Sequence, residues 1–336
     1  MNKIISQQTI KPASPTPSHL KTYNLSLLDR IVPNTYTDFV FYYPKYMNNV
    51  NINVLKQSLS QSLAIYYPLA GRLPSPSASY VDCNDEGIDF VEVSTDSRLS
   101  EFIVKKYHDE TLHHLFPHGL GLNDGKTNRS LLQVQLNHFS DGGVAVAVSV
   151  SHKIADGLTV ASFVNHWATV ARGESPIDPT FISSPASNST EVVDEYDPDY
   201  TSEVIYKKRT FTFTNSKLNE LKKNVIAMGN TPMNPTRFEV LASLLFKCAV
   251  GASTNKSYDS SLLYQPFNVR GIIAGKYPET TVGNVLTCAA TKMKNPGQMQ
   301  LNEMVNELRK RKMEVKGLTN MKEAAQYWTN MLSTLD

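Results

Sequence analysis

Cysteine is scarce in this chain: Cys83, Cys248 and Cys288 are the only three among 336 residues, an odd number set far apart with no C-x-x-C pair. That excludes a disulfide framework and offers no thiolate motif for zinc or redox work, so a reducing compartment is the expected home. Charge of one sign is also lacking, since 33 Lys and Arg face 31 Asp and Glu. No broad field exists to gather a nucleic acid or an anionic membrane, and a small-molecule partner fits better. No stretch approaches the roughly 20 apolar residues that a membrane helix needs. Met1 to Ser18 alternates polar with apolar residues and carries Pro12, Pro15 and Pro17, so it has no apolar signal-peptide core. A cytosolic protein is expected, with the sequons at Asn128 and Asn188 unused. There is no G-x-S-x-G elbow for a serine hydrolase. Gly119-Leu120-Gly121 lacks the third glycine of a dinucleotide site and reads as a loop. His108, His113, His114 and His118 crowd one segment, but Pro117 interrupts any helix that would align them, and no acidic or Cys ligand has matching spacing. No metal site is expected.

What is present is enough for real cores. Hydrophobic residues make up 41 % of the chain, and the length exceeds what one core ordinarily supports, so two domains are expected. From Ile52 to Tyr66 the apolar residues Leu55, Leu59, Leu63 and Tyr66 fall at helical spacing, and Pro68 and Gly71 end the helix. Between Leu131 and Ser151 the period changes to two. Val134 and Leu136, then Val144, Val146, Val148 and Val150, flank Ser140-Asp141-Gly142-Gly143, which predicts a β-hairpin. The second strand puts valines on one face and Ala145, Ala147 and Ser149 on the other, and His152 has the parity of the valines. After Gly157, helical spacing returns through Val160, Phe163, Val164, Trp167 and Ala171, with Gly173 as the stop.

Glu174 to Glu203 is rich in Pro, Ser, Asp and Thr and reads as a linker. The expected division is a domain over 1–173, a linker over 174–204 and a second domain over 205–336. In the second domain Lys207 to Thr214 and Leu262 to Val269 read as strands, Arg237 to Ala249 as an apolar helix, and Leu301 to Leu335 as helical, with Met304, Val305 and Leu308 on its inner face.

The chemistry centres on His152, in Ser151-His152-Lys153-Ile154-Ala155-Asp156-Gly157. A histidine at a strand end can present one nitrogen to a cavity while the other is held, and an imidazole of ordinary pKa, about 6.5, suits removal of a hydroxyl proton. Asp156 can fold back under the histidine or point away to an arginine, and the spacing does not choose. The plainer reading makes His152 a satisfied buried histidine and Asp156 the N-cap of the next helix. His138 and His166, on flanking elements, read as structural.

The full string resembles the signature of the plant BAHD acyl-CoA-dependent acyltransferases. Ile10-Lys11-Pro12 through Leu27-Leu28-Asp29-Arg30 is similar to that family's opening, Tyr66-Tyr67-Pro68-Leu69-Ala70-Gly71-Arg72 to its turn, and Val81-Asp82-Cys83-Asn84 adds agreement. Asn234 to Leu241, Gln265-Pro266-Phe267-Asn268-Val269-Arg270-Gly271 and Val282-Gly283-Asn284 extend the resemblance over essentially the whole chain. It implies an α/β, two-domain chloramphenicol acetyltransferase-like fold of mixed sheets with flanking helices. His152 would be the general base, Asp156 and Arg270 a structural brace, and Gly157 and Asn284 motif neighbours. Thr236, Arg237 and Ser243 would lie on the coenzyme side. No permanently bound cofactor is expected. Acyl-CoA, with acetyl-CoA preferred, is the co-substrate and a small-molecule alcohol such as an alkaloid or acylsugar hydroxyl the acceptor, handled by a monomer.

The family's D-F-G-W-G segment is absent, which implies a second domain truncated near the channel, with strand edges and apolar surface uncovered. The rival expectation is a catalytically inactive truncated paralogue that binds or regulates; retention of His152, Asp156 and Arg270 speaks against it.

Overall fold

Alternation between positions 144 and 151 builds the centre of the first unit. The computed structural model describes residues 2–44, 51–105, 110–117, 129–182, 211–229, 234–252, 260–273, 277–294 and 299–332. In chain order the first stretch carries β1 (Asn2–Ile10), β2 (Thr22–Asn24), α1 (Leu27–Ile31), β3 (Tyr36–Tyr43), α2 (Ile52–Ile65), β4 (Tyr80–Asp82), β5 (Ile88–Thr95) and α3 (Leu99–Lys105). There follow β6 (Leu132–Phe139), β7 (Val144–Ser151), α4 (Gly157–Ala171), β8 (Thr180–Phe181), α5 (Asn215–Ala227), α6 (Arg237–Ala252) and β9 (Ser260–Asn268). The chain ends its described part with β10 (Thr281–Val282), β11 (Leu286–Lys294), α7 (Leu301–Lys316) and α8 (Met321–Leu332). Two compact units result: Met1–Thr210 with Tyr277–Val285, and Phe211–Lys276 with Leu286–Asp336.

In the first unit five strands form one mixed sheet in the order β1-β5-β6-β7-β3. Only the β5–β6 pair is parallel. The expected hairpin is present: β6 and β7 pair antiparallel with Val134 opposite Val148 and Leu136 opposite Val146. Because successive side chains of a strand point to opposite faces, Val144, Val146, Val148 and Val150 join the core made with Leu59 and Leu63 of α2, Tyr66 just beyond it, and Val160, Phe163 and Trp167 of α4. Ala145 and Ala147 face the other way, into a smaller cluster with Leu99, Leu115, Phe116 and Phe139. On that side Gln135 and Asn137 donate to the main-chain oxygens of His114 and Leu115 at 3.0 and 3.1 Å, tying a short 3-10 helix, Glu110–Leu115, to the sheet. His113 and His114 lie in that helix, whereas His108, His118 and Gly119-Leu120-Gly121 fall outside the described residues, as do both sequons.

The turn after α2 has a specific cause for its glycine. A Cβ on Gly71 would meet the main-chain oxygen of Asp82, and Val81 Cγ1 at 2.8 Å, because the backbone of Arg72 and Asp82 exchange hydrogen bonds at 2.9 Å. His166, in α4, is a structural histidine: it is buried, its Nδ1 pairs with Ser62 Oγ at 3.1 Å, and burial holds its pKa below the usual value. His138 stands 3.4 Å from Glu92, which also receives Ser6 Oγ and Lys56.

The second unit pairs β9 with β11 antiparallel, Asn268 opposite Leu286. Val225 of α5, Val240 of α6 and Val305 of α7 form its buried cluster. Met304, Val305 and Leu308 are at most 1 % exposed, on the inner face the spacing predicts. One expectation is corrected here. Positions 211–214 run up to the N-cap of α5 without pairing, Thr214 accepting from Lys217 N at 3.3 Å, and the rest of the expected strand, 207–210, is outside the described residues. The terminal stretch is two helices: Gly317 closes α7, and Asn320 Oδ1 accepts from Glu323 N at 2.9 Å to start α8. Among the described residues no helix is long and apolar enough to cross a membrane.

Candidate active site

β7 delivers His152 to the end of the sheet. Ser151 N still donates to Leu131 O at 2.8 Å and His152 N to Thr35 O at 2.7 Å, so the histidine backbone is held on both sides as the strand stops. The next residues turn inward. Ile154 N returns to Ser151 O at 3.2 Å, and Ile154 and Ala155 are buried in the core. Lys153 is buried too, its Nζ donating to the main-chain oxygen of Arg30 at 3.1 Å.

Asp156 then caps α4. Its Oδ1 accepts from Thr159 N at 2.9 Å, so the plainer of the sequence readings describes this oxygen. Its Oδ2 accepts from Val285 N at 3.1 Å. Neither contact places the carboxylate under the histidine. Gly157 opens α4 exposed, and a Cβ there would meet no atom within 4 Å.

The segment reaching Asp156 comes from far along the sequence. β10 pairs in parallel with β8, and Thr159 Oγ1 exchanges hydrogen bonds with Gly283, donating to its oxygen at 2.9 Å and accepting from its N–H at 3.2 Å. Gly283 has φ +117°, a region that side-chain-bearing residues rarely enter, and a Cβ there would stand 3.3 Å from Asp29 Oδ1. Glycine is required at that position on both counts.

Asn284 is fully buried and makes four polar contacts, all to Asp29 and His152. Its N–H donates to Asp29 Oδ1 at 2.6 Å. Its Nδ2 donates to the same oxygen at 2.9 Å and to the main-chain oxygen of His152 at 2.6 Å. Its Oδ1 lies 3.0 Å from His152 Nδ1. This set fixes the protons. A carboxylate oxygen and a peptide carbonyl only accept, so the amide group between them must be the NH₂. The amide oxygen therefore faces the imidazole and Nδ1 must carry a hydrogen to donate to it, which in the neutral ring leaves Nε2 with its lone pair.

Asp29 closes the network. Its Oδ2 accepts from Ser26 N at 2.9 Å and Ser26 Oγ at 2.6 Å, while Ser26 Oγ accepts from Asp29 N at 3.1 Å, a reciprocal cap on α1. Burial raises the Asp29 pKa above the usual carboxylate value, and the hydrogen bonds from Ser26 and Asn284 oppose that shift. Asp29 and Thr159 are the residues that sequence reasoning left without a role. Ser26-x-x-Asp29 carries the spacing of a cap, but the far partner of the carboxylate has no local signal.

Other expected residues lie in the second unit. Arg270 is 1 % exposed, with its Nη1 donating to Asn268 Oδ1 at 3.3 Å. Thr236 Oγ1 accepts from Glu239 N at 3.1 Å and Glu239 Oε2 accepts from Thr236 N at 2.7 Å, so this threonine caps α6. Arg237 is exposed in the first turn, and Ser243 is fully buried, its hydroxyl having no hydrogen-bond partner among the described residues. Among the described residues no group of three His, Cys, Asp or Glu side chains is arranged to hold a metal ion.

The chain is 34 % identical over 321 residues to a 17,18-epoxy-17-hydroxycur-19-ene N-malonyltransferase of Strychnos nux-vomica, spanning 93 % of this chain and 68 % of that protein. It is 35 % identical over 331 residues to acylsugar acyltransferase 3 of Solanum lycopersicum, spanning 95 % and 75 %. Among solved structures, vinorine synthase superposes over the whole chain and 80 % of its own, with TM-score 0.77 and 25 % identity. The TRI101 protein of F. sporotrichioides, crystallised with coenzyme A and T-2, shares the fold at TM-score 0.67 and 15 % identity over 94 % of this chain and 78 % of its own. The family model described as "Transferase family" matches residues 2–334, and the chain is a member of that family, the plant BAHD acyltransferases.

Proposed function

We propose that this chain transfers an acyl group, with acetyl preferred, from a coenzyme A thioester to a hydroxyl of a plant specialised metabolite, and that His152 is the general base. The observation that carries the reading is the Asn284 amide, whose oxygen lies 3.0 Å from His152 Nδ1; a neutral ring that donates from Nδ1 has Nε2 as its acceptor. In the proposed reaction Nε2 takes the acceptor's proton as its oxygen attacks the thioester carbonyl. The tetrahedral intermediate then expels the coenzyme thiolate, which takes the proton back from the imidazolium. No covalent enzyme intermediate is needed. Such help is worth about 10²- to 10⁴-fold, and positioning of the two substrates supplies much of the rest.

In this reading Asp156 is a brace, holding the start of α4 through Thr159 and the approach to Asn284 through Val285. Arg270 is a buried structural cation of the second unit. Arg237, exposed at the start of α6, is suited to a phosphate of the coenzyme, and Thr236 and Ser243 are assigned to the same side. Among the relatives' names, that of the acylsugar acyltransferase supports the acceptor class. A monomeric, cytosolic enzyme completes the proposal, supported by the balanced charge and the sparse cysteine.

The test is thiol release from acetyl-CoA with a panel of alkaloid, acylsugar and phenolic alcohols, run beside His152→Ala. Acceptor-dependent release that drops about 10²-fold or more in the variant supports the base. Release that persists in His152→Ala would overturn it.

A further inference from the structure

Asp29 is fully buried, and its carboxylate meets Asn284, the residue that contacts the His152 ring. Its two oxygens serve different masters. Oδ2 takes both hydrogen bonds from Ser26 and belongs to the cap of α1; Oδ1 takes both from Asn284. A carboxylate needed only as a helix cap has no use for the second pair.

Rotating the Asn284 amide by half a turn exposes what that second pair does. The amide oxygen would then stand 2.9 Å from Asp29 Oδ1 and 2.6 Å from the His152 main-chain oxygen, two groups that cannot donate. The NH₂ would face His152 Nδ1, which would have to become the acceptor, and the imidazole proton would move to Nε2. In that state the ring has no lone pair on the nitrogen that the proposed reaction uses.

We infer that Asp29 is a positioning residue that selects the His152 tautomer, by holding the Asn284 amide with its oxygen toward the imidazole. The inference deepens the proposed reading of His152 as the base, but the tautomer exists whether or not the chain transfers acyl groups. Asp29 reaches the imidazole through Asn284, and the main-chain N–H of Ser26, which Ser26→Ala keeps, holds Oδ2 so that Oδ1 stays turned to the amide. The main-chain N–H of Asn284, donating to that same oxygen at 2.6 Å, fixes the distance over which the amide is read.

The experiment is a long-range proton–nitrogen correlation spectrum of protein carrying ¹⁵N-histidine, with the His152 signals identified by their loss in His152→Ala. In the unsubstituted protein His152 is expected to be protonated on Nδ1 and bare on Nε2. Asp29→Ala removes the acceptor and is expected to give a mixture of tautomers. Asp29→Asn keeps the shape and is expected to give a smaller but measurable Nε2–H fraction, so a failure of the alanine variant to fold does not end the test. Ser26→Ala removes the cap hydroxyl and leaves Oδ1 untouched, and its spectrum should match the unsubstituted protein. Where thiol release is measurable, the Asp29 variants lose about tenfold or more in kcat with KM for both substrates little changed.

An Nε2–H tautomer in the unsubstituted protein, a folded Asp29 variant with an unchanged spectrum, or a Ser26→Ala shift as large as that of the Asp29 variant would each overturn the inference. The expected spectra in a protein that releases no thiol would uphold Asp29 in this role while sinking the proposed function.

Discussion

One oxygen of Asp29 accepts both the main-chain N–H and the side-chain amide of Asn284, at 2.6 and 2.9 Å, although 255 positions separate the two residues in sequence. Closing a loop that long costs only modestly more than closing a shorter one, but nothing local stabilises the contact. Buried hydrogen bonds at both ends must hold it.

Asn284→Ala should therefore be felt in stability as well as in turnover. It leaves the buried Asp29 carboxylate with one side-chain donor fewer and His152 Nδ1 without its acceptor, an expected loss of about 1–3 kcal/mol. Urea denaturation of the variant against the unsubstituted chain measures it; a midpoint that does not move would show the network to be dispensable for folding.

Asp156 separates two functions by oxygen. Asp156→Ala loses the α4 cap and the acceptor for Val285 N, and about 2–3 kcal/mol is expected. Asp156→Asn keeps an oxygen for Thr159 N but turns an NH₂ toward Val285 N, so its loss should fall between. Equal denaturation midpoints for the two variants would mean that the Val285 contact alone matters.

Two glycines of the motif region should respond oppositely to alanine. Gly283→Ala forces a side chain to φ +117° and sets it against Asp29, at an expected cost of about 1–3 kcal/mol. Gly157→Ala has open space in the first turn of α4 and should fold as well as before or better, by up to about 1 kcal/mol. Thermal melts of both variants decide the matter, and a destabilised Gly157→Ala would show a constraint that the described residues do not contain.

The second unit should carry an acid-sensitive contact. Burial alone would raise the Glu239 pKa, but hydrogen bonds from Arg309 and Thr236 outweigh it and hold it below the usual value of 4.5. A carboxylate depressed in the folded state adds stability that is complete above its unfolded pKa and lost as pH falls through the folded one. Glu239→Gln should thus be less stable at pH 7 by about 1.5–3 kcal/mol, with the gap closing in acid. A gap that stays constant from pH 7 down through the carboxylate range would rule the pair out as its source.

How much of this was readable in the chain depends on the reach of each signal. The period-two valines from 144 to 150 locate the hairpin and bring His152 to its end, because strand alternation is local. The spacing of Leu59, Leu63 and Tyr66 marks the face of α2 that packs on those valines for the same reason. Gly317 stops α7, but the apolar spacing of Leu301 to Leu335 continues across it, so one helical stretch is read where two helices exist. Asp29 shows the limit. Its cap with Ser26 follows from a spacing of three, whereas its hold on Asn284 depends on where β10 docks, and β10 is two residues long with no pattern of its own.

That docking gives the first unit a calendar. Tyr277–Val285 belongs to it, yet these residues are synthesised only after the two helices and the strand between Asn215 and Asn268. At a ribosomal pace of about 5–20 residues per second, the first unit waits on the order of ten seconds for the strand that pairs with β8. Until then Asp29 and Asp156 lack their partners from 284 and 285. The two units of this protein cannot mature one after the other in the order of the gene: the earlier one is finished from inside the later one's span, and a gene cut between them would leave His152 without Asn284.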